Sequence, residues 1–156
     1  MTRLSEIDWG NLGNPRILTL LQNVAAQDKE IRSKALDEIK DIIAPWELLY
    51  GYRSPEDLMH MAESAIPETI VPFIIELLKN EPTREKVYII EILYDLSRYE
   101  YVDNYVIPSE KKDHYANWAR RIRDEVYKGI DIYRTLLHSP SPEIQRAASD
   151  LIGILT

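Results

Sequence analysis

Three dipeptides punctuate this chain. Asn14-Pro15, Ser54-Pro55 and Ser141-Pro142 each place a helix-capping side chain directly before a proline, and proline is tolerated at the first helical position because its missing N–H would have no partner there. Each pair therefore predicts a helix start. After the first, Ile17, Leu18, Leu20, Leu21 and Val24 carry an apolar stripe over residues 15–26. Asp28 caps a second helix over 28–43, in which Ile31, Ala35, Leu36, Ile39, Ile42 and Ile43 recur at spacings of three and four. Pro45 limits it, since the residue before proline avoids the α region.

The period lapses over residues 46–52, a predicted loop, before a short helix over 55–62. A longer one is expected over 68–79, with Pro72 in or near its first turn or marking its true start. Thr83 caps the next, to about 99, with Val87, Ile90, Leu93, Tyr94 and Leu96 inward. Residues 100–112 lack a helical period and contain Pro108, which predicts a loop. The longest pattern, 114–138, carries Tyr115, Trp118, Ile122, Val126, Tyr127, Ile130, Tyr133 and Leu137 on one side, with Gly129 as a bend. Ser141-Pro142 opens the last helix, over 141–155.

No stretch alternates with period two beside a hairpin signal, so the expected class is all-α, with seven helices. The helices also pair. A helix, a short break and a second helix recur three times, with breaks near 27, 80–82 and 139–140, and short connections make antiparallel neighbours. Three such hairpins in series predict an α-solenoid. A repeat supports this: Glu30-Ile31-Arg32-Ser33-Lys34-Ala35-Leu36-Asp37-Glu38-Ile39 aligns without a gap on Glu143-Ile144-Gln145-Arg146-Ala147-Ala148-Ser149-Asp150-Leu151-Ile152. Both segments open the second helix of a pair and place Ile, Ala and Ile four residues apart.

These second helices resemble those of HEAT repeats. Together with Trp9-x2-Leu12 and the run Thr69-Ile70-Val71-Pro72-Phe73-Ile74-Ile75-Glu76-Leu77-Leu78, residues 9–98 are similar to small bacterial HEAT-like, armadillo-type proteins. The resemblance implies a scaffold that binds other macromolecules, and some proteins of this kind are immunity proteins that neutralise toxins. It carries over no catalytic residue. The sequence departs from the pattern in its middle pair, which lacks the small residue, and in the long 114–138 stretch.

At 156 residues, 45% of them apolar and 29% charged, the chain has the size and composition of one globular domain spanning 1–156. With no cysteine it has no disulfide framework, thiol nucleophile or Cys-ligated zinc. Residues 1–8 carry acids where a secretory leader would be apolar, which predicts a cytoplasmic protein. The most apolar run, 66–78, includes Pro67, Glu68, Pro72 and Glu76 and is too short to span a bilayer, so no membrane association is expected.

Little in the sequence points to catalysis. Three histidines are scattered, and His60, with Glu56 and Asp57 a turn before it, reads as a solvated ion pair rather than a metal site. There is no phosphate loop, nucleophile elbow, zinc-protease motif or calcium loop. The expectation is a non-enzyme without cofactor or metal. One alternative is a nucleic-acid binder or glycosylase using Trp118, Arg120, Arg121 and Arg123 with Lys111 and Lys112, although Asp124 and Glu125 follow at once. Another is a structural scaffold or homodimer.

Charge is more informative. The formal net charge of −7 divides into −1 over residues 1–54, −8 over 55–110 and +2 over 111–156. The acidic third also holds five of the ten tyrosines. In residues 99–105, Tyr99, Glu100, Tyr101, Asp103 and Tyr105 interleave aromatics with acids, and Trp46, Tyr50 and Tyr52 form a second aromatic segment. Tyrosines supply rigid contact area while acids steer a cationic partner. Either these segments pack down on the helices or they form an interface. The reading adopted is a protein-binding module for a basic protein partner, most concretely an immunity protein covering a toxin domain, with no nucleic acid expected. Tyr88 and Tyr94 are expected in the core.

Overall fold

The computed structural model describes residues 4–49, 55–79, 85–102 and 107–156, and all regular structure among them is helical. The α-helices are α1 (Trp9–Leu12), α2 (Ile17–Asn23), α3 (Lys29–Ile43), α4 (Trp46–Leu49), α5 (Pro55–Met61), α6 (Ile66–Lys79), α7 (Lys86–Ser97), α8 (Lys112–Tyr127), α9 (Ile130–Leu136) and α10 (Pro142–Leu155). Short 3-10 turns cover Leu4–Glu6, Arg98–Tyr101 and Ser109–Lys111. No helix of the described residues is long and apolar enough to cross a membrane.

The caps explain where several helices begin. Asp28 accepts backbone N–H bonds from Glu30 at 2.8 Å and Ile31 at 3.4 Å, and Ser141 Oγ accepts one from Ile144 at 3.3 Å with Pro142 just inside the helix. Asn14 behaves differently. Its Oδ1 accepts from the N–H of Arg16 at 3.0 Å, which folds Asn14-Pro15 into a turn and delays α2 to Ile17. Ser54 and Thr83 lie outside the described residues.

The helices are more numerous than the seven expected, for three local reasons. Trp46–Leu49 coils into a single helical turn instead of a loop, and Trp9–Leu12 forms another, capped by Asp8 and closed by Gly13 at a φ of 116°. The third reason is Gly129. There the predicted 114–138 helix divides into α8 and α9, because the Tyr133 ring lies across the glycine and its hydroxyl donates to the carbonyl of Val126 at 2.7 Å. A Cβ on Gly129 would stand 2.5 Å from the Tyr133 hydroxyl oxygen, so only glycine admits this approach. Pro72 is also displaced from expectation. It sits inside α6 rather than at its start, and the buried row Ile66, Ile70, Val71, Ile74, Ile75 and Leu78 offsets the lost backbone bond.

Helix α7 is the hub. Ile89, Ile90, Ile92, Leu93 and Leu96 are all fully buried, and α7 packs against α3, α6, α8 and α10. A helix apolar nearly all round must be enclosed by others. The helices expected to pair are in contact, α2 with α3, α6 with α7 and α9 with α10, and α6 packs on α8 as well. Arg32 fastens the first pair to the hub: its Nε donates to Glu85 at 2.8 Å, while Nη1 donates to the carbonyls of Ala26 and Gln27 at 2.9 and 2.6 Å.

Candidate functional site

The residues singled out in the sequence separate once folded. Tyr99 is fully buried and belongs to the core, contrary to expectation: its hydroxyl donates to the carbonyl of Ile43 at 2.7 Å, and its ring meets the Trp118 indole edge-on at 4.7 Å. Tyr115 completes the cluster by donating to the carbonyl of Tyr99 at 2.6 Å. Glu100 pairs with Arg123 at 3.1 Å. Tyr101 is 62% exposed and Trp46 49% exposed. Tyr50, Tyr52, Asp103 and Tyr105 lie outside the described residues.

The Trp/Arg helix does not form a base-stacking platform. Trp118 is only 2% exposed, and its Nε1 donates to the carbonyl of Ser64 at 2.9 Å. Arg121 is engaged with Glu68 at 3.3 Å, and Arg123 donates to the carbonyl of Leu155 at 2.6 Å besides pairing with Glu100. Stacking on a nucleobase needs an exposed ring face. Among the histidines, His114 approaches Glu63 at 3.5 Å, and no group of three or more His, Asp or Glu among the described residues is placed to hold a metal ion.

A different surface gathers tyrosines and acids. Along α7 the positions that are not fully buried include Val87, Tyr88, Glu91, Tyr94 and Asp95, which share one side of the helix; Tyr88 and Tyr94 pack at the edge of the core, and Glu91 is exposed. On the α3 side, the Tyr88 hydroxyl donates to Asp37, and the charges of Asp41 and Glu91 also reach it. Burial and the bond to Asp37 hold the phenol well above its ordinary pKa, so it stays a neutral donor. Lys40 of α3 faces Asp95 at 3.7 Å.

On the α10 side the same helix borders a cleft of about 360 Å³, lined by Val87, Ile90, Glu91 and Tyr94 of α7 and by Pro142, Glu143, Arg146, Ala147 and Asp150 of α10. Its lining combines apolar residues and the Tyr94 ring with three acids and one arginine. Glu91 joins the two halves, being one turn from Asp95 and on the cleft wall. Partial desolvation, then the Asp95 carboxylate, raises the Glu91 pKa against the opposing pull of Lys40. Asp95 is raised by burial, which outweighs Lys40 and Arg98. Glu143 goes the other way: its own backbone N–H and the Ser141 hydroxyl stabilise its charge.

The continuous face therefore runs from Asp37 and Asp41 through Tyr88, Glu91 and Asp95 to Tyr94, Glu143 and Asp150, with Lys40, Arg98 and Arg146 as the cations beside these acids. Desolvation is the leading cause of both raised values, and repulsion from Asp95 adds to it at Glu91 alone, so a cation brought to Glu91 would offset that repulsion. The sequence did not single out this face, because it placed Tyr88 and Tyr94 in the core; both do pack against the core but are only half-buried. Two signals were available. Glu91 and Asp95 stand on the same helical side as these tyrosines, and Asp37 and Asp150 fall at matching positions of the internal repeat. Compared with models of known protein families, with curated proteins and with solved structures, the chain matches none.

Proposed function

We propose that this chain is a HEAT-like α-solenoid that binds a basic protein partner without catalysing a reaction, neutralising it by steric and electrostatic occlusion, most concretely as an immunity protein against a bacterial toxin. Supporting the architecture are the paired helices and the order of the second helices: α3 neighbours α7 and α7 neighbours α10, as stacked hairpins would place them. The single observation that carries the function is the acidic, tyrosine-bearing face shared by α3, α7 and α10. Tyrosines anchor a partner at low entropic cost, and the acids raise its association rate and exclude anionic competitors. This moves the proposed surface from residues 99–105 to the outer sides of these three helices.

The test is capture from the native host with the protein and with a charge-reversed variant, Glu91→Lys with Asp150→Lys, followed by assay of whatever activity the captured protein has. The reading expects a basic protein that loses activity on binding, and whose capture falls by at least about tenfold in the variant. Equal capture by both forms, or recovery of nucleic acid alone, overturns it.

A further inference from the structure

The cleft between α7 and α10 has the chemistry of a socket for one cationic side chain. Its lining comes from two stripes, residues 87 to 94 on α7 and 142 to 150 on α10, so it extends along roughly 10 Å of helix. Val87 and Ala147, with the fully buried Ile90 behind them, provide apolar lining for an aliphatic stem, and Tyr94 adds an aromatic ring. Glu143 is already satisfied by Ser141 Oγ at 3.0 Å and by the nearby charge of Arg146. Among the described residues, no hydrogen bond or ion pair reaches the carboxylates of Glu91 or Asp150.

We infer that this cleft is an anchor site for an arginine side chain on a basic segment of the partner protein, held by the Tyr94 ring and the Glu91 and Asp150 carboxylates. The inference rests on the basic-partner reading above and specifies its point of contact. Charge complementarity selects the occupant: an anionic ligand would face three carboxylates, and a purely apolar one would desolvate Glu91 and Asp150 without compensation. Arginine suits the socket better than lysine. Its planar guanidinium stacks on an aromatic ring and binds carboxylates through two parallel N–H bonds, whereas an ammonium is a strongly hydrated point charge. Arg146 stands on the same wall and competes with the incoming cation.

The experiment titrates the full chain with a short peptide of alanine, leucine and arginine, and with its lysine and glutamate counterparts, at about 50 mM salt, following backbone amide shifts by NMR. The arginine peptide should shift amides of residues 87–94 and 143–150 and bind about tenfold more tightly than the lysine peptide. Asp150→Asn should weaken it by about tenfold, and Arg146→Ala should tighten it by a few-fold; both side chains are exposed, so the variants keep the fold. Equal binding of the arginine and lysine peptides, or shifts confined to the neighbourhoods of Trp46 and Tyr101, overturns the socket and leaves the basic-partner reading standing. Failure of both cationic peptides to bind overturns both. The same holds if the glutamate peptide or duplex DNA binds at the cleft and Arg146→Ala weakens it.

Discussion

Two tyrosine-containing regions of this molecule are built from similar residues and behave oppositely. Around Tyr99, Tyr115 and Trp118 the rings meet one another, and each polar tip donates to a backbone carbonyl, of Ile43, Tyr99 and Ser64 respectively. Around Tyr88 and Tyr94 the rings lie at the edge of water among carboxylates from three helices. The first arrangement binds α8, the end of α3 and the turn before α6 into one body. The second leaves aromatic and anionic groups facing outward. The Tyr99 and Tyr115 hydroxyls end on backbone carbonyls inside the core, whereas the Tyr88 hydroxyl ends on the exposed Asp37 carboxylate.

Stability measurements sharpen that contrast most strongly. Trp118→Ala removes a buried indole and its bond to Ser64, and should cost about 3–5 kcal/mol in urea denaturation. Tyr94→Ala, which removes a half-buried ring at the edge of the core, should cost about 1–2 kcal/mol. Comparable losses at the two positions would remove the distinction between them.

A smaller effect is expected at two glycines. Gly129→Ala drives a Cβ into the buried Tyr133 ring, whose hydroxyl is fixed by Val126, and should lower stability by about 1–3 kcal/mol. Gly153, on the exposed side of α10, has nothing within 4 Å of an added Cβ, so Gly153→Ala should raise stability by about 0.5–1 kcal/mol. Thermal melts of the two variants should therefore move in opposite directions.

The smallest effect is a pH dependence confined to the outer face. Glu91 and Asp95 have folded-state pKa values raised above those of ordinary carboxylates, so between the unfolded and folded values the native state holds more protons than the unfolded chain. Stability contributed by these groups is thus greatest at acidic pH and declines as pH rises through the folded values. Asp95→Asn should flatten that part of a stability-versus-pH curve measured from about pH 4 to 8. Substitution at the Tyr99 cluster should leave the slope in place.

The helical class and several element boundaries were legible because they depend on local chemistry. Asp28 and Ser141 cap where their sequence context predicts, and Pro45 follows closely on the end of α3. The errors lie where tertiary contacts override local pattern. Ile66 starts α6 before Pro67 and carries it past Pro72, because the apolar row on that helix has a place in the core. The break at Gly129 depends on a ring four residues later folding back over it. Of the proposed interface residues, Tyr99 turned inward and Tyr101 outward, although they are two apart in the same segment.

By itself, the sequence determined that this chain is helical and that its negative charge is concentrated in residues 55–110, since propensity, capping and charge are properties of residues and their near neighbours. Only the tertiary structure decided which tyrosines meet water. It also brought Asp37 of α3 and Asp150 of α10 to the same side of the molecule as Glu91. Burial is set by what packs against a helix from elsewhere in the chain, and α7 is enclosed by four helices drawn from both ends of the sequence, leaving one narrow side for its tyrosines and acids.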